Sequence, residues 1–174
     1  MKKLLVVVDY QNDFVNGSLG FKEAEALDEP IAAKVEAYRA EGADIVYTMD
    51  THGPQYLEMQ EGRKLPVPHC LNGTEGWKLY GKTGEVCKDA MTIGKHTFGS
   101  MDLAEMALFK GYDQIEICGV VTNICVMANA VLLKTTQPEA EIIIDAKCVA
   151  SNDKRLNDEA LDVLESMQFT VINR

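Results

Sequence analysis

The sequence predicts an α/β fold in which helices cover both faces of a parallel sheet. Three observations lead to this prediction. Short apolar runs alternate with stretches of helical periodicity along the whole chain, which is the pattern of repeated strand–helix units. The apolar runs show no polar alternation, as expected of strands that are buried on both faces. The chain has 174 residues, 47% of them hydrophobic, and fits the usual domain size of about 100–200 residues, so we assign residues 1–174 to a single domain.

The first two predicted strands are each followed by an aspartate. Lys3–Val8 and Asp44–Met49 are both short runs rich in apolar and β-branched residues. Between them, a helix can start at Asp28, whose side chain can cap it, and end at Gly42. Two parallel strands joined through a helix form a right-handed crossover, so these elements make the first unit of the sheet.

Four more strands complete the predicted sheet. We place them, in chain order, at 90–94, Gln114–Cys118, Glu141–Ile144 and Phe169–Ile172. Ser100 can cap a helix that leads to the fourth strand, and Thr122 can cap one, from about Asn123 to Thr136, that leads to the fifth. The last helix has apolar residues on one face, namely Leu156, Ala160, Val163, Leu164 and Met167. The expected result is a three-layer α/β/α sandwich with a six-stranded parallel sheet, Rossmann-like, with strand order 3-2-1-4-5-6.

Two long connections, residues 10–27 and 51–89, match neither helix nor strand patterns. Loops of this length in a compact domain are usually functional or disordered. The aromatic residues Trp77 and Tyr80, with Pro66 and Pro68, favour order in the second connection.

Composition excludes several classes of function. The net charge is −10, from 27 acidic and 17 basic side chains, and no segment concentrates Lys and Arg, so nucleic acid and anionic membranes are poor partners. The apolar run Leu4–Val8 is too short for a signal peptide or a transmembrane helix, so we expect a cytoplasmic protein. The five cysteines have no C-x-x-C spacing, which argues against both a disulfide framework and a thiolate zinc site.

Several chemically competent residues follow the predicted strands. Asp9, Asp50, Lys95 and the turn Gly119–Cys125 all stand at carboxyl ends of strands, where open α/β sheets bind their ligands. Cys125 lies in the first turn of a helix, where free N–H groups and the helix dipole lower the pKa of a thiol. It is therefore the candidate nucleophile, and the alternative is a small packed hydrophobe.

Asp9 needs a partner because an unpaired carboxylate at the end of an apolar strand is costly. Lys95 is the natural partner. A carboxylate beside a thiol can accept its proton and return that proton to a leaving group. The alternative is a structural ion pair at the edge of the sheet.

A second group of residues has the chemistry of a metal site. Asp50 and His52 are two positions apart at a strand end, and His69 follows in the long connection. One carboxylate and two imidazoles suit Zn²⁺, Fe²⁺ or Mn²⁺. Glu61 or Glu58 could add an oxygen ligand, and the alternative is ordinary surface histidines.

Together these residues resemble the isochorismatase-like cysteine hydrolases, the superfamily that includes nicotinamidases. The resemblance covers essentially the whole chain and rests on motifs in the family's order: Asp9–Phe14, Asp50–His52, Pro68–Cys70 followed by Gly73-Thr74, Lys95, and Gly119–Cys125. It implies a catalytic triad of Asp9, Lys95 and Cys125. It also implies a cis peptide between Val120 and Val121, with the backbone N–H groups of Val121 and Cys125 forming an oxyanion hole.

The resemblance further implies a divalent metal, with zinc as the first expectation and iron or manganese as alternatives. Its ligands would be Asp50, His52 and His69, with Glu61 placed where some members supply another.

The resemblance also implies a substrate pocket. In nicotinamidases an aromatic residue three positions before the metal-binding histidine helps to hold the pyridine ring, but here Pro66 occupies that position, preceded by Leu65. Phe14 would form the other wall. We expect Phe14, Leu65 and Phe98 to bind substrate, with Trp77, Tyr56 or Phe98 replacing the missing aromatic.

The predicted function is hydrolysis of a small primary amide, such as nicotinamide, to the acid and ammonia through a thioester on Cys125. An N-carbamoyl amine hydrolase with the same triad is the alternative, while Cys125 argues against an isochorismatase, which needs no cysteine nucleophile. A binding module that has lost turnover is the third possibility, and the intact triad argues against it. The family resemblance implies a homo-oligomer, and the expected partner is the small-molecule amide alone.

Overall fold

The protein contains a sheet of six parallel strands in the order β3-β2-β1-β4-β5-β6, which confirms the predicted fold class and strand order. The computed structural model describes all 174 residues. Its strands are β1 (Lys3–Val8), β2 (Asp44–Asp50), β3 (Met91–Lys95), β4 (Gln114–Val120), β5 (Glu141–Ala150) and β6 (Thr170–Ile172). Because every strand is parallel, all the carboxyl ends lie at one edge of the sheet.

Eight α-helices connect and cover the strands. They are α1 (Asn12–Val15), α2 (Lys22–Glu25), α3 (Asp28–Ala40), α4 (Gln60–Lys64), α5 (Gly81–Cys87), α6 (Met101–Lys110), α7 (Met127–Thr136) and α8 (Lys154–Ser166). A 3₁₀ turn at Tyr56–Glu58 and a π-helical turn at Thr122–Val126 complete the secondary structure. None of the helices has both the length and the apolar composition needed to cross a membrane.

The central strand β1 is buried on both faces, as its unbroken apolar sequence predicts. Leu4, Val6 and Val8 belong to one hydrophobic cluster, which packs against α6, α7 and α8. Leu5 and Val7 point to the opposite face and join a second cluster with α1, α2, α3 and α5. The sheet is therefore covered by helices on both sides.

Strand β5 is longer than predicted. It continues beyond Ile144 to Ala150, after a register shift against β4 between Ile117 and Gly119. The exposed Lys147 interrupts the apolar pattern at that point, although Cys148 and the two residues after it are buried. The extension matters because it carries the end of β5 to the same edge as the other strand ends.

Two predicted helix caps are wrong. The Asp28 carboxylate accepts hydrogen bonds from the N–H groups of Lys82 (3.0 Å) and Thr83 (2.9 Å), so it caps α5 rather than α3. The Thr122 hydroxyl donates to Asn157 instead of capping its own helix. In contrast, Ser100 caps α6 as expected, since its Oγ accepts the Leu103 N–H at 3.2 Å.

The buried face of α8 also differs from the prediction. Val163 and Met167 are exposed by 46% and 38%. The buried residues of this helix are Ala160, Leu161 and Leu164.

Both long connections are ordered and lie against each other. The Asn12 N–H donates to Lys78 O, and the Asp13 N–H donates to Gly76 O, each at 2.9 Å. The Asp13 carboxylate also accepts the Cys70 N–H at 2.7 Å. These bonds hold the segment after β1 beside the loop that carries His69.

Candidate active site

The carboxyl ends of neighbouring strands bring four of the predicted functional residues together. Asp9 directly follows β1, Asp50 ends β2, Lys95 ends β3, and Cys125 lies in the π-helical turn after β4. The exposed fractions of these four residues lie between 0% and 6%. Three charged groups are therefore buried at one edge, which is tolerable only if they compensate one another.

The Lys95 ammonium is the common neighbour of the catalytic candidates. Its Nζ lies 2.6 Å from Asp9 Oδ2 and 3.6 Å from Cys125 Sγ. Asp9 Oδ2 meets no aligned hydrogen-bond donor, so its contact with the ammonium is an ion pair. The other oxygen of Asp9 accepts a hydrogen bond from the Thr48 hydroxyl at 2.6 Å, and Lys95 donates to Thr97 O at 3.0 Å. Both side chains are thus fixed beside the thiol.

Burial and mutual charge set the protonation of these groups. Burial raises the pKa of Asp9, and the Lys95 charge offsets this only in part. Burial alone would lower the pKa of Lys95, but the charges of Asp9, Cys125 and Asp50 outweigh it and raise that pKa above its usual range. Lys95 is therefore a permanent cation, and Asp9 is more basic than an ordinary aspartate.

The expectation that the start of a helix lowers the pKa of Cys125 is wrong for the free protein. Burial raises the pKa of this thiol well above its usual value, and the Asp9 charge raises it further against the opposing effect of Lys95. Desolvation outweighs the helix terminus because only 6% of the residue is exposed. The resting thiol is protonated, so it needs a base to become a nucleophile.

The turn that carries Cys125 has the predicted backbone. The peptide bond between Val120 and Val121 is cis. The Val121 N–H has no hydrogen-bond partner within the chain, so this donor is free to bind a ligand oxygen. Gly119 precedes the turn at a φ of 111°, where an added Cβ would lie 2.1 Å from Val8 O. Only glycine allows β4 to approach β1 so closely at this point.

The predicted metal ligands form one group. The ligand atoms of Asp50, His52, Glu61 and His69 all lie within 4.8 Å of one another. Asp50 Oδ2 is 3.0 Å from His52 Nε2 and 3.4 Å from His69 Nε2, while Glu61 Oε1 is 3.7 and 3.8 Å from the same two nitrogens. Glu61 is thus the glutamate that joins the group, and the alternative Glu58 is exposed outside it.

The donor chemistry of this group fits a divalent cation. His69 Nδ1 lies 2.8 Å from Val67 O, and because a carbonyl only accepts, Nδ1 carries a hydrogen, which leaves Nε2 as the nitrogen that can bind a cation in place of its own proton. Burial would raise the pKa of Asp50, but hydrogen bonds to both histidines and the Lys95 charge hold it below its usual value. Two imidazoles and two carboxylates are typical ligands of zinc and similar ions.

Two side chains that the sequence analysis did not single out support the ligands. Gln11 accepts the Asp50 N–H at 2.8 Å and donates to Asp50 O at 2.9 Å, which fixes the end of β2. Asp13 holds the N–H of Cys70, whose carbonyl accepts the His52 N–H at 3.0 Å. Cys70 has a φ of 46°, a left-handed conformation that few non-glycine residues adopt. It links the loop of His69 to His52.

A cavity of about 230 Å³ opens beside these residues. All three predicted substrate-binding residues, Phe14, Leu65 and Phe98, line it, together with Cys125 and Val121. Its remaining walls come from Leu19, Phe21, Asp50, Glu61, His69, Ile124 and Asn152. The cavity is thus mainly apolar, with the thiol and the proposed ligands as its polar wall.

Of the three candidates to replace the missing aromatic, only Phe98 lines the cavity. The Tyr56 ring packs on the rings of His52 and His69 at 4.7 and 5.0 Å. The Trp77 indole donates to the Thr51 hydroxyl at 2.9 Å and lies elsewhere.

Four other wall residues, namely Leu19, Phe21, Ile124 and Asn152, were not predicted from the sequence to line the pocket. The apolar residues of the first long connection were a usable signal for Leu19 and Phe21. Asn152 follows β5, whose end was placed too early.

Comparison with known proteins identifies the relatives of this chain. A model of the Isochorismatase domain matches residues 3–174. The chain is 32% identical over 151 residues to an uncharacterized isochorismatase family protein, PncA, of Bacillus subtilis, covering 75% of this chain and 78% of that protein. The crystal structure of nicotinamidase/pyrazinamidase PncA from Bacillus subtilis superposes with a TM-score of 0.90 at 26% identity, covering 99% of this chain and 100% of that one. The crystal structure of N-carbamoylsarcosine amidase from Thermoplasma acidophilum superposes with a TM-score of 0.80 at 26% identity, covering 98% of this chain and 95% of that one.

The charge balance around Cys125 predicts an unusual response to substitution. We expect Asp9→Asn to speed the alkylation of Cys125 by iodoacetamide near neutral pH, because it removes the charge that raises the thiol pKa and leaves Lys95 to lower it. Each unit by which that pKa falls increases the thiolate fraction about tenfold. Timed alkylation over a range of pH, read by peptide mass spectrometry, measures the shift. Cys118, which is 0% exposed, serves as the unlabelled reference, and slower alkylation of Cys125 in the variant would contradict the prediction.

Proposed function

This chain belongs to the isochorismatase family and is a hydrolase of amide carbon–nitrogen bonds, and on that premise we propose that it converts a small primary amide to the acid and ammonia through a thioester on Cys125. Nicotinamide is the proposed substrate. The observation that carries the proposal is the position of the Lys95 ammonium, 2.6 Å from the Asp9 carboxylate and 3.6 Å from the Cys125 thiol. Of these three residues, Cys125 lines the cavity.

In the first half-reaction, Asp9 accepts the thiol proton while Cys125 Sγ attacks the amide carbon. The raised pKa of Asp9 suits it to this role, since a general base works best when its pKa approaches the working pH. Lys95 stays charged and holds the carboxylate and the developing thiolate in place. Asp9 then gives the proton to the departing nitrogen, so ammonia leaves and the acyl group remains on Sγ.

In the second half-reaction, Asp9 takes a proton from a water molecule that attacks the thioester carbon. The acid is released and the proton returns to Sγ, which restores the resting thiol. In both steps negative charge develops on the carbonyl oxygen, and we assign its stabilisation to the N–H groups of Val121 and Cys125. Loss of one such donor costs about 100- to 1,000-fold in kcat in comparable enzymes.

We propose that Asp50, His52, Glu61 and His69 hold a divalent ion, with zinc first and iron or manganese as alternatives. When bound, this ion supplies a Lewis-acidic contact for a ring nitrogen or a water molecule beside the amide. The chain's own residues fix the ligands, because Gln11 clamps the backbone of Asp50 and Val67 O orients the His69 ring.

The cavity volume of about 230 Å³ and its mainly apolar lining favour a small, uncharged acyl group. The Phe14 ring packs beside the His69 ring, with their centroids 5.3 Å apart. Leu65 and Phe98, exposed by 38% and 46%, supply the wall where Pro66 offers no ring. The overall charge of −10 has little bearing on a neutral amide, whose recognition depends on a few convergent groups.

N-carbamoyl amine hydrolysis is the second candidate. It is supported by the structural similarity to N-carbamoylsarcosine amidase, and the same three residues could act on a ureido carbon. The cytoplasmic location and the homo-oligomeric state stay predictions of the sequence.

A substrate screen tests the proposed function. We expect ammonia and nicotinic acid from nicotinamide, with much slower release of ammonia from N-carbamoyl amines. Cys125→Ala and Lys95→Ala should each lower kcat by at least about 1,000-fold, because the nucleophile and its charge partner act as a unit. His96→Ala is the control, since His96 is exposed and outside the proposed machinery. Full activity of Cys125→Ala would overturn the thioester mechanism, and preference for carbamoyl compounds would select the second candidate.

Metal analysis tests the proposed ligand set. We expect about one equivalent of a divalent ion per chain in the wild type and in His96→Ala. The metal affinity of His69→Ala should be at least about tenfold weaker, because replacing a residue that only supports a ligand already weakens metal affinity roughly 10- to 100-fold. Elemental analysis and competition with a chromophoric chelator give the content and the affinity. Equal metal binding by His69→Ala and His96→Ala would show that the group is not the binding site.

A further inference from the structure

Asn129 is a buried amide that joins two parts of the candidate active site. It lies in α7, one turn after Cys125, and its exposed fraction is 0%. Nothing in the proposed reaction uses it. Burying an amide is costly unless its hydrogen bonds are satisfied, so a side chain that served only to pack α7 would be apolar.

Three backbone groups satisfy this amide. Asn129 Nδ2 donates to Cys125 O at 2.8 Å and to Phe98 O at 3.2 Å. Its Oδ1 accepts the Ser100 N–H at 2.9 Å. One side chain therefore connects the residue that carries the nucleophile to two residues of the segment between β3 and α6.

That segment, residues 95–100, contributes Phe98 to the wall of the cavity, while its exposed His96 contacts Thr51 O and does not line the cavity. It starts at Lys95, whose ammonium donates to Thr97 O at 3.0 Å, and it ends where Ser100 caps α6. Phe98 lies between these two points, and its carbonyl has no hydrogen-bond donor other than Asn129. Asn129 thus sets the distance between the Phe98 wall and Cys125.

We propose that Asn129 is a positioning residue that fixes the Phe98 wall of the cavity relative to the Cys125 nucleophile. This inference rests on the proposed amidase function. A substrate ring held against Phe98 must present its carbonyl carbon to Sγ, and a displacement of about 1 Å can cost roughly 100-fold in rate. Without the amide, both the wall and the turn can shift independently.

The chain offers a matched control in Gln137, at the far end of the same pair of helices. Gln137 Nε2 donates to Ala107 O at 2.8 Å, and its Oε1 accepts the Tyr112 N–H at 3.2 Å. It therefore bridges α7 and the end of α6 as Asn129 does at the other end, but it does not line the cavity. Loss of Gln137 should affect stability without affecting catalysis.

The test is a double-mutant cycle of Asn129→Ala with Phe98→Ala, read as kcat and KM for nicotinamide. We expect Asn129→Ala to lower kcat/KM about 10- to 100-fold, with KM raised as well as kcat lowered. Part of the effect of Asn129→Ala arises because Phe98 is displaced. The fall in kcat/KM of the double variant should therefore be clearly smaller than the product of the falls in the two single variants. Gln137→Ala should change kcat/KM by less than about twofold and should combine with Phe98→Ala multiplicatively.

Asn129→Leu keeps the approximate size of the side chain and removes its hydrogen bonds without adding a buried charge, so it replaces Asn129→Ala in the cycle if that variant does not fold. Melting temperatures of all variants separate stability from catalysis. If the wild type hydrolyses the amide but the Asn129 and Phe98 losses are multiplicative, the inference is wrong. If the wild type hydrolyses no primary amide, the proposed function itself fails.

Discussion

The buried ammonium of Lys95 is the interaction on which the rest of the site depends. It lies within 3.4 Å of Asp50 Oδ1 as well as against Asp9 and Cys125, so it joins the proposed catalytic residues to the proposed metal ligands. Together with Glu61, however, the site holds three carboxylates against this one cation. Because Asp9 and Asp50 are buried and Glu61 is partly buried, this excess of negative charge is unfavourable unless another cation is present. The imbalance is the physical reason why we propose a divalent ion beside the triad.

The same charge balance explains how an unreactive thiol can be a nucleophile. Desolvation and the Asp9 charge both keep the Cys125 proton in place, and in the proposed reaction Asp9 takes that proton beside the Lys95 charge, which removes the negative charge that opposes the thiolate. Burial raises the pKa of Asp9 for this exchange, and the Thr48 hydroxyl fixes the orientation of the carboxylate through its other oxygen. In the proposed mechanism, nucleophile and base are therefore activated together, and both depend on the charge of Lys95.

Much of this arrangement was predictable from the sequence, because parallel strands bring their carboxyl ends to one edge. The meeting of Asp9, Asp50 and Lys95 follows from that arrangement whatever the order of the strands, and the observed order is the one expected of a Rossmann-like sheet. The direction of the Cys125 pKa shift did not follow, since burial is a tertiary property that a helix start does not reveal. The proposed positioning role of Asn129 could not be predicted either, because its hydrogen-bond partners Phe98 and Ser100 are distant from it in the sequence.

The central claim is that the acyl group passes through Cys125, and rapid-quench mass spectrometry of the intact chain during turnover tests it most directly. Acid quenching within the first turnover should show a fraction of the chain heavier by the substrate acyl group, and digestion should locate that mass on the Cys125 peptide. Free thiol at Cys125 throughout a reaction that releases ammonia would contradict the thioester account and would leave the same residues acting on a directly attacking water.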